Sequence, residues 1–264
     1  MPLRSAKAES FSALHERCFV IANAWDAGSA RILAGLGFPA LATSSGAHAG
    51  TLGRRDGHVT RDEALAHARA IVEATELPVS ADLENCFADE PEKAAEAVRL
   101  AAEVGLAGCS IEDSAGSKVY EFGLAVERVA AAARTKSIVL TARAENFLRG
   151  NPDLDDTIRR LQAYEKAGAD VLMAPGLPDL ESVRKVCAAL SKPFNFMAGI
   201  KGKSFSVAEL RAAGVRRVSL ATSLWRAAMT GLIEAAREAQ EQGSFGFVER
   251  SLSTPDITKS FPKS

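Results

Sequence analysis

Two acids in the stretch PVSADLENCF, residues 78–87, have the side-chain type and the spacing that a metal site needs. Asp82 and Glu84 follow a short apolar run and are separated by one residue. In a β-strand this spacing places both carboxylates on the same side, where each disfavours the ionisation of the other. A hard cation such as Mg²⁺ would offset this repulsion, because it prefers oxygen ligands and keeps several of its waters.

Further charged side chains follow the next two apolar runs. Glu112 ends the run AGCSIE, and Arg143 lies in VLTARAENF. A guanidinium binds a carboxylate or a phosphate through two parallel hydrogen bonds, so Arg143 is a candidate for holding an anionic substrate. An internal ion pair of Arg143 with Glu145 or Glu112 is the alternative. The acids have the alternative role of surface groups or helix caps.

Two glycine-containing loops offer weaker candidates. In TSSGAHAG, residues 43–50, the small residues Ser44, Ser45 and Gly46 would let backbone N–H groups approach an anion. Asp56, in the segment GRRDG, could reach a metal through a water molecule. Its spacing alone favours a simple turn role instead.

The chain is organised as eight short apolar runs, each followed by a longer amphipathic stretch. Buried parallel strands read as continuous apolar runs, and eight such units over about 250 residues fit an α/β fold, the (β/α)₈ TIM barrel. In that fold the chemistry lies on the loops that follow the strands, which is where the candidate residues fall. A doubly wound sheet is the alternative, weakened by the lack of GxGxxG after the first run. The predicted strands are CFVIAN, PALATS, PVSADL, AGCSIE, SIVLTA, ADVLMA, PFNFMA and VRRVSL.

Length and composition exclude several classes of protein. The 264 residues carry a net charge of −1, which offers no basic face for nucleic acid, and no apolar run reaches the ~18 residues of a membrane span. The first residues lack the apolar core of a secretory signal, and the four scattered cysteines are typical of reduced thiols, so we expect a cytoplasmic protein. We predict one barrel domain over residues 1–250 and a polar tail over residues 251–264.

Taken together, the motifs resemble the isocitrate lyase/phosphoenolpyruvate mutase superfamily. The similarity covers nearly the whole chain, through NAWDAGSARILAGLGFPAL, TSSG, GRRD, DLEN, IEDS, TARAE, YEKAGAD and GVRRVSLATSLWRAA. It implies a (β/α)₈ barrel whose last helix is exchanged with a neighbouring subunit, and hence a homodimer or homotetramer. It also implies a Mg²⁺ site, with Mn²⁺ as the alternative cation, and a small α-oxo or α-hydroxy carboxylate as substrate.

The resemblance also implies roles for individual residues. Asp82 matches the family's first metal carboxylate, and Glu84 matches the second, which is usually Asp. Glu112 matches a carboxylate that is hydrogen-bonded to metal-bound water, and Arg143 matches the substrate-binding arginine. Asp56 matches a further acid of the site. The loop that holds the substrate's carboxylate or phosphonyl end is matched by Ser45, Gly46 and Ala47. The two groups that bind the distal carboxylate in lyases are matched by Asn195 and Arg226.

The chain departs from the family's lyases in a mobile loop and at one turn. Lyases carry Lys-x-Cys-Gly-His, whose cysteine acts as acid or base, whereas SAGSKVYEFG keeps Lys118 but has Tyr120 at the cysteine position. Mutases carry Asn at that position. A tyrosine acts as acid or base only if its pKa falls from about 10, and covering the site is its alternative role. Cys86 stands where glycine is common.

We therefore expect a Mg²⁺-dependent lyase or decarboxylase that cleaves a carbon–carbon bond of a small α-oxo or α-hydroxy acid. The reaction would pass through a metal-stabilised enolate, with Arg143, Lys118 and Tyr120 as the catalytic residues. The first alternative is chemistry on a phosphorus–carbon bond, by a phosphoenolpyruvate or carboxyphosphonoenolpyruvate mutase or a phosphonopyruvate hydrolase. The second is a non-catalytic protein that binds keto acids and has kept the metal site.

Overall fold

The computed structural model describes residues 4–261, which contain a closed barrel of eight parallel strands. The predicted (β/α)₈ barrel is confirmed, and the doubly wound alternative is wrong because the first and last strands pair and close the sheet. A two-stranded hairpin follows the fourth barrel strand. In chain order the strands are β1 (Phe19–Asn23), β2 (Leu41–Ala42), β3 (Val79–Asp82), β4 (Gly108–Glu112), the hairpin strands β5 (Ser114–Ala115) and β6 (Lys118–Val119), β7 (Val139–Arg143), β8 (Val171–Met173), β9 (Phe194–Met197) and β10 (Arg217–Ser219).

Helices surround the barrel and connect its strands. Among residues 4–261, no helix is both long enough and apolar enough to span a bilayer. The α-helices are α1 (Ala6–Leu14), α2 (Ala27–Gly35), α3 (Ser45–Thr51), α4 (Arg61–Glu73), α5 (Pro91–Glu103), α6 (Phe122–Ala133), α7 (Leu154–Ala167), α8 (Leu180–Ala189), α9 (Val207–Ala212), α10 (Ser223–Arg237), α11 (Phe247–Arg250) and α12 (Thr254–Thr258), with a 3₁₀ turn at Asn146–Leu148 and a π-helical turn at Glu238–Gln242.

Polar caps set the ends of these helices. Thr60 begins α4 through a capping box, in which its hydroxyl accepts from the backbone N–H of Glu63 and the Glu63 carboxylate accepts from the Thr60 N–H. Asp153 caps the start of α7, and Gly168 ends it with a left-handed φ of 110°. Such local signals are why the strand and helix pattern is readable from the sequence.

Helix α1 closes the lower end of the barrel, a role that the apolar pattern does not indicate. Phe11 of α1 is fully buried and meets the rings of His15 and Phe19 edge-on. A Cβ at Gly108 would lie 2.8 Å from the Phe11 ring and 2.9 Å from the carbonyl oxygen of Val139. Glycine at 108 therefore lets α1 pack directly against β4 and β7.

The inside of the barrel is more polar than is usual for this fold, in which branched apolar side chains fill the interior. Parallel pairing sets Thr141 opposite Ser110 and Arg217 opposite Asn195. Short side chains such as those of Ser80 and Ser110 leave space beneath the loops. The polar residues of the strands that line this space are Asn23, Ser80, Asp82, Ser110, Glu112, Arg143, Asn195, Arg217 and Ser219.

Buried His15 is expected to make the fold sensitive to acid. Its Nδ1 donates to the carbonyl oxygen of Phe11 at 2.9 Å, and burial together with the charge of Arg217 lowers the pKa of His15 to about 3. The unfolded chain takes up this proton near pH 6.5, so the stabilisation is complete above that pH and is lost as the pH falls towards 3. At pH 5 the loss is about 2 kcal/mol.

The test compares His15→Gln with His58→Gln, which replaces an exposed histidine. Gln can donate to the Phe11 carbonyl and accept from Arg217 without titrating. The free energy of unfolding in urea should fall between pH 7 and pH 5 by about 2 kcal/mol less in His15→Gln than in the wild type or in His58→Gln. An unchanged pH dependence in His15→Gln would refute the assignment.

Candidate active site

Asp82 lies at the carboxyl end of β3 and accepts hydrogen bonds from three neighbouring segments. Its Oδ2 accepts from the backbone N (3.2 Å) and the hydroxyl (3.0 Å) of Ser45. Its Oδ1 lies 3.3 Å from Ser110 Oγ and 3.2 Å from Arg143 Nη1. The side chain keeps about a fifth of its exposure and lines the cavity at the mouth of the barrel, so it is accessible to a ligand there.

Arg143, at the end of β7, is the centre of a buried cluster of charges. Nη1 lies 2.9 Å from Glu112 Oε1, while Nε and Nη2 lie 2.9 and 2.8 Å from Glu145 Oε1. Burial alone would lower the pKa of Arg143, but Glu112, Glu145 and Asp82 outweigh it and hold the guanidinium charged. The internal ion pairs that were the alternative for Arg143 are therefore present, and the residue still lines the cavity.

Glu145 and Arg149 belong to this cluster and were missed as site residues by sequence reasoning. Glu145 is fully buried, and Arg149 Nη2 lies 3.2 Å from Glu112 Oε2 and 3.6 Å from Glu145 Oε2. Both follow Arg143 in the single loop ARAENFLRGN. That shared loop was the available signal, because residues after one barrel strand lie over the same sector of the mouth.

Glu112 and Glu84 are carboxyls whose surroundings disfavour the charged form. Burial raises the pKa of Glu112. The ion pairs of Glu112 with Arg143 and Arg149 oppose this increase. Burial, followed by the charges of Asp82 and Asp56, raises the pKa of Glu84 to about 7. A bound cation would relieve this repulsion, and it would lower both pKa values.

The backbone of the DLENCF turn is strained. Glu84, Cys86 and Phe87 have φ values of 51°, 58° and 58°, in the left-handed region that glycine adopts most easily. The conformation at Cys86 is therefore one that glycine would adopt without strain. Holding non-glycine residues there costs about 1–3 kcal/mol each, and such strain is found at sites where geometry matters.

Cys86 is expected to be chemically inert. Its side chain is buried, and that burial raises the pKa of the thiol to about 12. Because the thiolate is the reactive form, iodoacetamide at pH 8 should label Cys86 about a hundredfold more slowly in the native protein than in urea. Peptide mass spectrometry of parallel native and urea-treated samples gives both rates. Equal rates in the two states would show an accessible nucleophile.

Residues 45–47 form the first turn of helix α3 instead of an open loop. Ser44 caps the helix by accepting from the N–H of Ala47, and the Ser45 N–H donates to Asp82. The Gly46 N–H has no hydrogen-bond partner among the described residues. The role of Ser45, Gly46 and Ala47 in anion binding stays a prediction. In this structure the N–H groups of Ser45 and Ala47 already have hydrogen-bond partners.

Asp56 lies over this turn, although it is distant in sequence. A Cβ at Gly46 would lie 3.2 Å from Asp56 Oδ2 and 3.1 Å from Thr222 Cγ2, so glycine allows the close approach. Glu84 Oε2 lies against Gly57, the residue after Asp56. The structure thus gathers Asp56, Asp82 and Glu84 in one sector, and Asp56 lines the cavity.

Lys118 and Tyr120 lie outside the cavity lining. Lys118 is exposed in the β5–β6 hairpin, and the Tyr120 hydroxyl donates to Asp89 and accepts from Asn85 Nδ2 at 2.9 Å. Burial and the bond to Asp89 raise the pKa of Tyr120, which favours a proton donor over a base. Their catalytic roles stay predictions, and in this conformation neither side chain reaches the cluster.

Asn195 and Arg226 line opposite parts of the cavity. Arg226 lies at the rim, where it donates to the carbonyl oxygen of Gly199. Asn195 is buried on β9, where its Oδ1 accepts from Arg217 at 2.9 Å and its Nδ2 donates to Ser219 Oγ at 3.0 Å. Arg226 is thus available to a ligand, whereas Asn195 is tied into the wall of the barrel.

The cavity and its donors fit a hydrated divalent cation. Its volume is about 450 Å³, within the usual range for small-molecule sites. Over residues 4–261, no three Asp, Glu, His or Cys side chains form a ready-made metal cage. Mg²⁺ does not need one, because it is usually bound through one or two carboxylates and keeps water in its other positions. Asp82, Glu112 and Asp56 line the cavity, whereas Glu84 does not, and the roles of these four acids at a metal stay predictions.

Comparisons with known proteins show which sequences and folds this chain is similar to. A family model described as phosphoenolpyruvate phosphomutase matches residues 11–240. A candidate lyase/mutase from Burkholderia cenocepacia J2315, known from a crystal structure, has 46% sequence identity to this chain. The two structures match with a TM-score of 0.94 over 97% of this chain and 96% of that one. The 2-methylisocitrate lyase of Escherichia coli K12 is 30% identical over 207 residues, 72% of this chain and 69% of that protein. Oxaloacetate decarboxylase 2 of Pseudomonas fluorescens Pf0-1 is 28% identical over 260 residues, 93% of this chain and 86% of that protein.

Proposed function

This chain belongs to the phosphoenolpyruvate phosphomutase family, and on that premise we propose that it is a Mg²⁺-dependent lyase or decarboxylase. Its substrate would be a small α-oxo or α-hydroxy acid, cleaved at a carbon–carbon bond. The observation that carries the proposal is the cluster of Asp82, Glu112 and Arg143 at the mouth of one cavity. Relatives named as a lyase and as a decarboxylase support the reaction class.

Arg143 and the acids around it divide the work of such a reaction. When bound, a divalent cation supplies positive charge where an oxyanion develops on the substrate. Asp82 and Glu112 would hold that cation and its waters, and Arg143 would bind the substrate carboxylate through paired hydrogen bonds. Glu145 is fully buried and forms an ion pair with Arg143, which holds the guanidinium in one orientation before the substrate binds.

Two observations favour the alternative functions, phosphorus–carbon chemistry and non-catalytic binding of keto acids. The family model carries the name of a phosphomutase, which favours phosphorus–carbon chemistry as the second candidate. Tyr120 is bonded to Asp89 and lies away from the cavity, as expected of a keto-acid binding protein without an acid–base loop. The first of these candidates predicts a change at phosphorus, and the second predicts binding without any product.

The experiment incubates the protein with Mg²⁺ and with oxaloacetate, 2-methylisocitrate, 2,3-dimethylmalate or phosphonopyruvate. Lactate dehydrogenase and NADH report pyruvate formed from the carbon acids, and phosphorus NMR follows phosphonopyruvate. We expect pyruvate from at least one carbon acid, abolished by EDTA and restored by Mg²⁺. A change in the phosphorus spectrum alone would establish the second candidate, and tight binding without any product would establish the third.

We also propose that α10 packs on another copy of the chain, in a homodimer or homotetramer. None of the α10 residues is buried, and Leu232 and Ile233 are 61% and 48% exposed. The apolar side chains Phe245, Val248 and Leu252 are exposed in the segment that follows. A patch of this kind is typical of an interface.

The oligomer proposal is tested by light scattering coupled to gel filtration. The wild type should elute with at least twice the mass of one chain. Leu232→Glu should reduce that mass, because it would place a charge in an apolar contact. Glu234→Gln, on the same helix, should not change it, and a wild-type mass of one chain would end the proposal.

A further inference from the structure

Within residues 4–261, Arg217 is a buried cation without an acidic partner. It is 5% exposed at the base of β10, and none of the ion pairs formed within residues 4–261 includes it. Nε donates to Asn195 Oδ1 and Nη2 to Thr141 Oγ1, both at 2.9 Å, while Nη1 lies 3.3 Å from His15 Nε2. His15 is a neutral acceptor here because its other nitrogen donates to a backbone carbonyl. Burial lowers the pKa of Arg217 to about 9, so it remains charged at neutral pH.

The guanidinium keeps unused donors. Its five N–H groups make three hydrogen bonds, one from each nitrogen, which leaves one N–H on Nη1 and one on Nη2. A buried charge is unfavourable by several kcal/mol unless an opposite charge accompanies it. Neutral oxygen and nitrogen acceptors solvate Arg217 only in part, so the site favours an anion.

The cavity at the barrel mouth extends down to Arg217. Its lining includes Asp82 and Arg143, the last residues of β3 and β7, and also Arg217, the first residue of β10. Its volume of about 450 Å³ is more than a two- or three-carbon acid at the mouth would fill. The short side chains of Ser80 and Ser110 keep the passage between the two levels open and polar.

The depth of Arg217 matches the length of a small diacid. Arg217 Nη2 is bonded to Thr141, which lies two residues before Arg143 on the same strand. At 3.3 Å per residue, the Cα atoms of Thr141 and Arg143 lie about 6.6 Å apart along β7. We propose that Arg217 forms a second carboxylate subsite inside the barrel, which takes the far carboxylate of a four- or five-carbon dicarboxylic acid. Naming this acid as the substrate rests on the proposed function; the anion subsite itself does not.

A purely structural role for Arg217 makes a different prediction. Its three hydrogen bonds connect β7, β9 and His15, the residue after α1, and that linkage alone would explain its presence. A structural link would affect folding and would treat mono- and dicarboxylic acids alike. Discrimination between the two acids is therefore the readout that separates a ligand site from a linkage.

The first experiment measures binding of 2-oxoglutarate and of 2-oxopentanoate by calorimetry, with Mg²⁺ present. The two acids have the same chain length and the same α-oxo end, and only the first has a far carboxylate. The wild type should bind 2-oxoglutarate at least tenfold more tightly. Arg217→Met should remove this preference, and Arg216→Met, an equal charge change at an exposed neighbour, should keep it. A preference retained in folded Arg217→Met overturns the proposal.

The second experiment needs neither turnover nor a variant that folds. Wild-type crystals grown without carboxylate buffers and without Mg²⁺ are soaked in sodium bromide, and anomalous scattering locates the bromide. A peak within hydrogen-bonding distance of Arg217 Nη1 or Nη2, displaced by sodium formate, supports the subsite. Absence of that peak overturns it. If neither oxo acid binds with Mg²⁺ while bromide occupies the Arg217 site, the proposed function fails and the subsite stands.

Discussion

Replacing Asp82 by Asn should abolish Mg²⁺-dependent turnover, with a fall in kcat/KM of about 10³-fold or more. Both carboxylate oxygens accept hydrogen bonds, one from Ser45 and the other from Ser110 and Arg143. An amide has one acceptor oxygen, so its NH₂ group must face a donor on one of the two sides. The variant therefore loses the metal's negative ligand and also disturbs the groups that orient it.

Calorimetry with Mg²⁺ separates the loss of a ligand from general damage. Mg²⁺ affinity should fall in Asp82→Asn in parallel with turnover, while the melting temperature without metal changes little. Asp62→Asn is the matched control, because the Asp62 side chain is 86% exposed on α4. If Asp82→Asn bound Mg²⁺ as tightly as the control does, the metal would have to be held by Glu84, Glu112 or Asp56 instead.

The relation between Asp82, Glu112 and Arg143 was accessible from the sequence for a geometric reason. The last inward-facing residue of each parallel strand points to the same mouth, so three strand ends suffice to place three side chains. Loop residues lack such a constraint. Whether Tyr120 faces the cavity is decided by Asp89, 31 positions earlier, and that contact leaves no periodic trace.

Arg217 and Ser45 show two further limits of sequence reasoning. Arg217 lies in an ordinary strand, and its lack of an acidic partner within residues 4–261 depends on which distant segments, among them those of His15, Thr141 and Asn195, the fold places around it. Ser45 begins α3 because Ser44 caps it and Asp82 accepts its N–H. The small residues of TSSGAHAG are compatible with a flexible loop as well as with a helix. The contacts of Ser45 with the rest of the fold therefore decide that the segment is helical.

Arg143→Met should separate substrate binding from metal binding, because its effects on the two have opposite signs. Loss of the guanidinium removes the group that binds the substrate carboxylate, so kcat/KM should fall by about 10³-fold. It also removes a positive charge that repels a divalent cation. Mg²⁺ should therefore bind Arg143→Met at least as tightly as the wild type, which contrasts with Asp82→Asn.

Stability without metal provides the second signature of Arg143→Met. Three carboxylates, those of Asp82, Glu112 and Glu145, share the Arg143 guanidinium, and removing one partner of a buried ion pair destabilises by about 3–5 kcal/mol. Because Mg²⁺ binds the folded state, it should raise the melting temperature of the variant more than that of the wild type. Arg99→Met, at a 55% exposed ion pair, should show neither effect. If Arg143→Met lost Mg²⁺ binding together with turnover, Arg143 would be a support of the metal site, and the substrate carboxylate would have to be bound by Arg149 or Arg226.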